Sequence, residues 1–338
     1  MSSPYDSPGV SSADDALPPV EPPSAGFLLQ LFVIPAVIVM IIVCVYVLVF
    51  KLAHLNEDPQ AYVDKLSRRN PGQWQAAADL ADRLRDPSDP SLRRNTQLAT
   101  SLKELLEAEI EAGRDSEEDI QLRGFLCRAL GEFEVPVGLP VLIQAANRQQ
   151  ESSSEVNQAA LEALALSAER NRDGGGLHHP ELINTLVRAA DSDEEAIRLR
   201  AAFAMGLVDD SSGRVERKLE QLMNRLGNQQ SAYNATTALA RRGNPAAVAG
   251  LARMLNPKPL PDTAEAGDSQ NEDAASQEWF QVLVLLNALR ATTQLLDQNP
   301  NVDLAPLDES IEKLAKYPNS QVQVEAKNLS LAIKQRSP

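Results

Sequence analysis

The sequence RALGEFEVPVGLPVLIQAA, residues 128–146, decides the fold because it joins the end of one helix, a tight turn and a second apolar helix. Apolar residues at spacings of three and four flank the turn, as in a pair of amphipathic helices. The same phrase recurs as AFAMGLVDDSSGRVERKLEQLM at 202–223 and as ALARRGNPAAVAGLARML at 238–255. A weaker copy, ALEALALSAER, covers 160–170. A helix pair that recurs in this way predicts an all-α fold built from stacked units.

Helix starts are predicted by two kinds of local signal. An Asp or Asn before a proline at 58–59, 89–90 and 244–245 predicts a capped helix start at each pair. Capping-box spacing over 152–155 and 192–195 predicts two more.

Each copy contains a triplet of small, apolar and small residues near the end of its first helix. Successive triplets lie 34, 41 and 34 residues apart, which is the period of a two-helix solenoid repeat. Ala and Gly let neighbouring helices approach closely, and the larger apolar residues fill the layers between them. We therefore expect an α-solenoid. The triplets are Ala129-Leu130-Gly131, Ala163-Leu164-Ala165, Ala204-Met205-Gly206 and Ala238-Leu239-Ala240.

These phrases resemble HEAT repeats, specifically the short bacterial type that is also found in phycobilin lyases. The turn at 243–245, Gly-Asn-Pro, is similar to the usual turn of that type, whereas Glu132 and Val208 depart from it. The resemblance is good over about 115–256 and loose over 72–112 and 277–335. Tetratricopeptide arrays are the alternative fold, but their fixed period and large aromatic residues are poorly matched here.

The resemblance also implies which residues face the inner side of the solenoid. Arg123, Arg198 and Arg200 stand where the family often has an arginine in its inner helix. Together with Asn234 they are the candidate partner-binding residues. Solenoid surfaces of this kind commonly bind other proteins.

Residues 27–50, FLLQLFVIPAVIVMIIVCVYVLVF, contain no charged side chain over 24 positions. A helix of that length would extend roughly 36 Å, which exceeds the roughly 30 Å thickness of a bilayer core. The stretch predicts one transmembrane helix, and Pro35 predicts a kink in it. Lys and Arg are absent before the stretch, whereas Lys51 and Lys65 follow it. This asymmetry predicts an external N-terminus and a cytoplasmic helical domain.

Two further segments are too polar and too rich in proline to form a core. Residues 1–26 contain acidic residues but no Lys or Arg, and 257–276 contains three prolines and five acidic residues. The second segment predicts a mobile acidic loop inserted into one repeat. The complete division is tail 1–26, transmembrane helix 27–50, membrane-proximal helices 51–112, repeats 113–256, loop 257–276 and closing helices 277–338.

The net charge of the chain is -15, which argues against nucleic acid as a partner, because binding to phosphates needs a clustered basic face. The two cysteines, Cys44 and Cys127, lie in apolar and helical contexts and predict buried thiols without a disulfide.

Catalytic and metal-binding signatures are lacking in the sequence. Only three histidines occur, and the pair at 178–179 lies in the stretch DGGGLHHPE, which favours a loop and a helix cap over a metal site. No GxSxG, phosphate-loop, GxGxxG, CxxC or HExxH motif is present. The sequence therefore predicts no catalytic residue, no cofactor, no metal and no small-molecule substrate.

The favoured hypothesis is a non-enzymatic scaffold, anchored in a membrane, that binds a protein partner through its solenoid surface. The alternative is a lyase-like or chaperone-like protein that holds a cofactor or client in the solenoid groove. The sequence does not identify the partner, the pathway or the oligomeric state.

Overall fold

A computed structural model of the chain describes residues 25–55, 59–67, 72–86, 90–148, 154–225, 229–256 and 268–336. Every regular element within these ranges is a helix, and they contain no strand. The predicted all-α class is therefore confirmed. The chain divides into two compact units, Met1–Asp58 and Pro59–Pro338.

The described residues of the first unit form one helix, α1, Ala25–Leu55, which includes Pro35. Within this helix, the side chains of residues 33–49 are all exposed. Among the described residues, no helix is both long enough and apolar enough to cross a membrane. The structure thus gives no support to the transmembrane helix predicted over 27–50.

The second unit begins with a short helix and continues as successive helix pairs. Single 3-10 turns at Pro136–Gly138 and Ala305–Leu307 each lead directly into the second helix of a pair. The helices are α2 Pro59–Ser67, α3 Gln73–Arg85, α4 Pro90–Arg93, α5 Thr96–Ala112, α6 Glu117–Gly131, α7 Leu139–Ala146, α8 Ser154–Arg170, α9 Leu182–Ala189, α10 Glu195–Met205, α11 Arg214–Met223, α12 Gln229–Arg241, α13 Ala247–Leu255, α14 Asp268–Gln298, α15 Asp308–Leu314 and α16 Ser320–Arg336.

The pairs stack so that their first helices contact one another in sequence. Helix α3 packs on α6, and the contacts then continue from α6 to α8, α8 to α10, α10 to α12, α12 to α14 and α14 to α16. We call this series the first-helix row. The second helices α7, α9, α11, α13 and α15 pack mainly against the first helix of their own pair or of the next one. This arrangement is an α-solenoid, as the repeated phrases predict.

The predicted triplets lie at the closest contacts of the first-helix row. A Cβ atom placed on Gly131 would stand 2.7 Å from the Ala163 Cα, and one on Gly206 would stand 2.9 Å from the Ala238 Cβ. The central residues of the four triplets are all buried, namely Leu130, Leu164, Met205 and Leu239. Small residues therefore set the distance between successive first helices, and the larger residue of each triplet fills the layer.

Two of the three predicted proline starts are correct, whereas Asn244-Pro245 lies in the turn before α13, which begins at Ala247. Pro59 and Pro90 are the first residues of α2 and α4. The capping box predicted over 192–195 does not form, because the Ser192 hydroxyl accepts from the Glu194 N–H at 3.2 Å, one residue short of the expected donor. The predicted box over 152–155 begins outside the described residues.

The structure differs from the sequence prediction at the start of α14 and at Cys44. Residues 257–267 and the tail residues 1–24 lie outside the described ranges. Helix α14 begins at Asp268, nine residues before the predicted boundary at 277, because the three prolines of the segment 257–276 all precede it. Cys127 is buried as predicted, whereas Cys44 is exposed.

Candidate partner-binding groove

Two of the predicted partner-binding arginines, Arg123 and Arg198, are buried and bind backbone carbonyls in the loop between repeats. The Arg123 guanidinium donates to the Arg114 carbonyl at 2.6 Å, and its side chain is only 2% exposed. The Arg198 guanidinium donates to the carbonyls of Ser192 and Asp193 at 2.7 and 2.6 Å. Each arginine thus binds the backbone that precedes its own helix. Neither side chain can reach a partner, so the placement of both on a binding face is corrected.

Asn157 makes the corresponding contact in the intervening repeat. Its amide donates to the Arg148 carbonyl at 2.8 Å, at the end of the preceding pair. Three successive first helices, α6, α8 and α10, therefore fix the preceding loop through a side-chain donor. The arginine pattern of the family resemblance marks the architecture here and not a binding surface.

The other two predicted residues lie on the first-helix row. Arg200 donates to the Glu162 carboxylate at 2.5 Å, which links α10 to α8. Asn234 donates to the Leu199 carbonyl at 3.2 Å, which links α12 to α10. Of the four predicted residues, only Asn234 borders the cavity described next.

A groove of about 350 Å³ crosses the first-helix row where α10, α12 and α14 meet. Its apolar wall includes Phe203 and Val284, and its polar lining is dominated by side-chain amides. The residues that line it are Leu199, Phe203, Gln230, Tyr233, Asn234, Thr237, Arg241, Met254, Val284, Asn287, Arg290, Ala291 and Gln294. An apolar wall with a few polar groups is typical of ligand and peptide sites.

Arg241 is the distinctive charged group of this groove. Its guanidinium lies over the ring of Phe203, 5.3 Å from the ring centroid. The Nη1 atom is enclosed and has no hydrogen-bond partner. Burial lowers the pKa of Arg241, while the charges of Glu169 and Arg172 act in opposite directions on it. The guanidinium is thus partly desolvated without a carboxylate bonded to its enclosed nitrogen, a state that costs free energy.

Gly206 gives Arg241 the space for this position. A Cβ atom at Gly206 would stand 3.2 Å from the Arg241 Nη1 and 3.1 Å from the Ala238 Cα. The glycine of the triplet therefore serves two purposes: it lets α10 approach α12, and it leaves room for the guanidinium above it.

The charge of the groove is opposite to that of the chain. Its lining contains two arginines, Arg241 and Arg290, and no Asp or Glu. Arg290 is paired with Glu325 at 3.1 Å, whereas the enclosed Nη1 atom of Arg241 has no hydrogen-bond partner among the described residues. In a chain of net charge -15, a groove of this charge favours an anionic ligand.

Exposed aromatic residues extend the groove along α14. Trp279 is 64% exposed and Phe280 is 39% exposed. Phe280 precedes the groove residue Val284 by four positions, which places it on the same face of α14. Exposed aromatic side chains beside a groove are typical of protein-binding surfaces.

The described residues contain no group of three or more His, Cys, Asp and Glu side chains that could hold a metal ion. The His178-His179 loop leads into α9, where the His179 Nδ1 atom accepts the Glu181 N–H at 3.2 Å. The N-cap residue of α9 is Glu181, and no side chain of the described residues caps this helix, so the contact lies in the loop before it.

Sequence reasoning missed Phe203, Arg241, Trp279 and Phe280. A signal for Phe203 was present, because the residue that precedes each triplet points outward from the first-helix row. Phe203 is the one aromatic residue at that position, where the other three triplets have Arg128, Glu162 and Thr237. The conformation of Arg241 depends on Gly206 and Phe203 in a neighbouring repeat, so spacing within one repeat could not reveal it.

Part of the second unit matches the model of a known protein family. Residues 108–205 match the family model for HEAT repeats. This match covers α6 to α10 and confirms the predicted HEAT-repeat architecture for that part of the chain. The groove begins at the end of the matched segment and continues beyond it into α12 and α14. No curated protein sequence matches the chain.

Solved structures with similar folds are distant. Two crystal structures of engineered proteins have TM-scores of 0.39 and 0.36, with 18% and 19% identity. They cover 82% and 83% of this chain and 99% and 98% of their own chains. Human deoxyhypusine hydroxylase in complex with glycerol has a TM-score of 0.30 and 16% identity, with coverage of 82% of this chain and 96% of its own. Similarity at this level supports no conclusion about function.

Proposed function

We propose that this chain is a non-enzymatic scaffold whose first-helix row binds a protein partner at the groove between α10, α12 and α14. The observation that carries the proposal is the guanidinium of Arg241, which is partly desolvated beside the exposed aromatics of the same surface. Groups of this kind, namely Arg with Trp, Tyr and Phe, contribute most of the energy in protein interfaces.

Other classes of ligand fit this surface less well. Nucleic acid would need several clustered cations, whereas the groove has two arginines and one of them is paired with Glu325. The amide and aromatic groups can bind a peptide backbone and apolar side chains. The proposed partner is therefore a protein, not a nucleic acid or a small-molecule substrate.

The finer part of the proposal is attachment to a membrane through residues 27–50. Its support is the sequence of that stretch, whose 24 residues contain no charge and leave no polar stripe for solvent. The distribution of Lys and Arg gives the orientation, with the N-terminus outside and the helical unit in the cytoplasm. Attachment would raise the local concentration of the groove at that membrane.

Membrane attachment is tested by fractionation of cells that express the intact chain or a chain lacking 27–50. The intact chain is expected to stay in the membrane fraction after alkaline carbonate extraction, and the shortened chain is expected to be released. Release of both chains would contradict attachment through this segment.

Photocrosslinking tests the binding face. A benzophenone amino acid at Gln230, which borders the groove, is compared with one at the exposed Gln221 on α11. We expect a discrete protein adduct from position 230 alone, which purified partner should reproduce and Phe203→Ser should reduce. Equal adducts at both positions would contradict the groove as the binding face. Purified protein that carries a bound chromophore or metal would instead support the lyase-like or chaperone-like alternative.

A further inference from the structure

The charge of Arg241 specifies part of what the groove accepts. The guanidinium lies between the groove and Gly206, and its face is covered by Phe203. A carboxylate is the complementary ligand, because it can accept two parallel hydrogen bonds from the Nε and Nη2 atoms of a guanidinium, the edge opposite to the enclosed Nη1, and neutralise its charge. Partial burial makes this pairing stronger than an equivalent pair on an open surface.

The apolar wall beside Arg241 specifies a second feature of the ligand, an apolar side chain. Leu199 and Phe203 border the same groove and present apolar surface within it, since Leu199 is half-buried and Phe203 is 42% exposed. A volume of about 350 Å³ is at the lower end of the range for ligand pockets, which suits side chains from a short segment better than a large cofactor. A partner segment must therefore place an apolar side chain next to its carboxylate.

The amides of the groove suit a peptide backbone. Gln230 and Asn234 come from α12, while Asn287 and Gln294 come from α14, so amides border the groove on both sides. Each amide can donate and accept a hydrogen bond, as peptide groups require. The Asn234 Nδ2 is used by the Leu199 carbonyl, which leaves its Oδ1 as an acceptor directed by that bond.

We infer that the groove recognises a short acidic peptide segment of the protein partner, with an Asp or Glu side chain bonded to Arg241 and a neighbouring apolar side chain against Leu199 and Phe203. This inference rests on the proposed function and specifies its partner. Salt should weaken the complex, because one of its contacts is a charge pair that borders solvent.

The test uses the full-length protein, purified in mild detergent, and a phage library of random peptides about 12 residues long. Peptides selected on the wild-type protein are synthesised, and their affinities are measured by fluorescence anisotropy for wild type, Arg241→Gln, Arg241→Lys and Arg225→Gln. Arg225 is exposed and lies outside the groove, so Arg225→Gln is the matched control for loss of one positive charge. Circular dichroism establishes that each variant is folded.

We expect the selected peptides to share an Asp or Glu beside an aliphatic or aromatic residue. Arg241→Gln should lower their affinity about tenfold or more, Arg241→Lys should lower it less, and Arg225→Gln should leave it unchanged. Replacement of the acidic residue by its amide should produce the same loss in wild type and no further loss in Arg241→Gln.

The two proposals fail in different ways. Selected peptides that are neutral or basic, but that compete with a Gln230 crosslink, would overturn the acidic specificity and leave the scaffold function standing. Acidic peptides that bind wild type and Arg241→Gln equally would also overturn it. A selection that yields no peptide able to compete at the groove would overturn both proposals.

Discussion

Gly131 at the end of α6 lies directly against Ala163 of α8, so closely that a Cβ atom on the glycine would stand 2.7 Å from the alanine Cα and 3.0 Å from its carbonyl oxygen. Contacts this short involve backbone atoms that cannot rotate away. The same relationship recurs between Gly206 and Ala238 two repeats later. The spacing of the first-helix row therefore depends on the absence of a side chain at these positions.

Gly131→Ala should destabilise the protein by about 1–3 kcal/mol, because the added methyl group forces α6 and α8 apart. Gly124 provides a control in the same helix, since its Cβ atom would meet only the Ala159 Cβ at 4.0 Å. Gly124→Ala should be neutral or stabilise by up to about 1 kcal/mol through helix propensity. Urea unfolding followed by circular dichroism measures both. Equal effects of the two substitutions would show that the contact does not set the helix spacing.

Replacement by Met should destabilise the protein much more at Arg198 than at Arg241. Arg198→Met should cost about 1–3 kcal/mol, because the carbonyls of Ser192 and Asp193 lose their donor. Arg241→Met should change the free energy of unfolding by less than about 1 kcal/mol, because the lost stacking on Phe203 is offset by removal of a desolvated charge. A strongly destabilised Arg241→Met would mean that this arginine has a structural role.

Glu134 should make stability depend on pH at the junction of α4 and α6. Hydrogen bonds from Arg94 and then Arg93 hold the pKa of Glu134 below its ordinary 4.5. A lowered carboxyl pKa stabilises the fold above the ordinary value, and this stabilisation disappears as the pH falls through the folded value. Glu134→Gln should therefore lose a few tenths to about 1 kcal/mol at pH 7, because water screens the exposed Arg94. At a pH below the folded value, unfolding curves of the variant and wild type should coincide, and a gap that persists there would contradict this origin.

Cys127 should resist alkylation in the folded protein. Burial raises the pKa of its thiol to about 12, against an ordinary value of 9.0. At pH 8 the reactive thiolate is then about a thousandfold less abundant than for an ordinary thiol. Iodoacetamide should leave Cys127 unmodified in a Cys44→Ser variant until denaturant is added, as mass spectrometry can measure. Rapid modification of the native variant would indicate that α6 opens locally.

The architecture could be predicted from sequence because it depends on local patterns that recur. The triplets specify both the period and the contacts between first helices, and the proline signals specify helix starts such as Pro59. Those patterns act within one repeat and need no knowledge of its neighbours. The Ser192 capping box failed because the Arg198 side chain takes the carbonyls of the same loop and fixes a different turn.

The candidate site was predicted only in part, for a physical reason. Arg123 and Arg200 look equivalent in sequence, yet one is buried against backbone and the other pairs with Glu162 on the row. Arg241 gains its character from Gly206 and Phe203, which belong to the preceding helix pair. A site formed between repeats depends on how they stack, and the period alone does not contain that information.

Hydrogen exchange on the complex with a selected peptide measures the central claim most directly, because it reports which helices the ligand covers. Binding should slow exchange in α10, α12 and the part of α14 from Phe280 to Gln294, and it should leave α9 and α11 unchanged. Slowed exchange confined to the second helices, with no change in α12, would contradict the groove of the first-helix row as the binding surface.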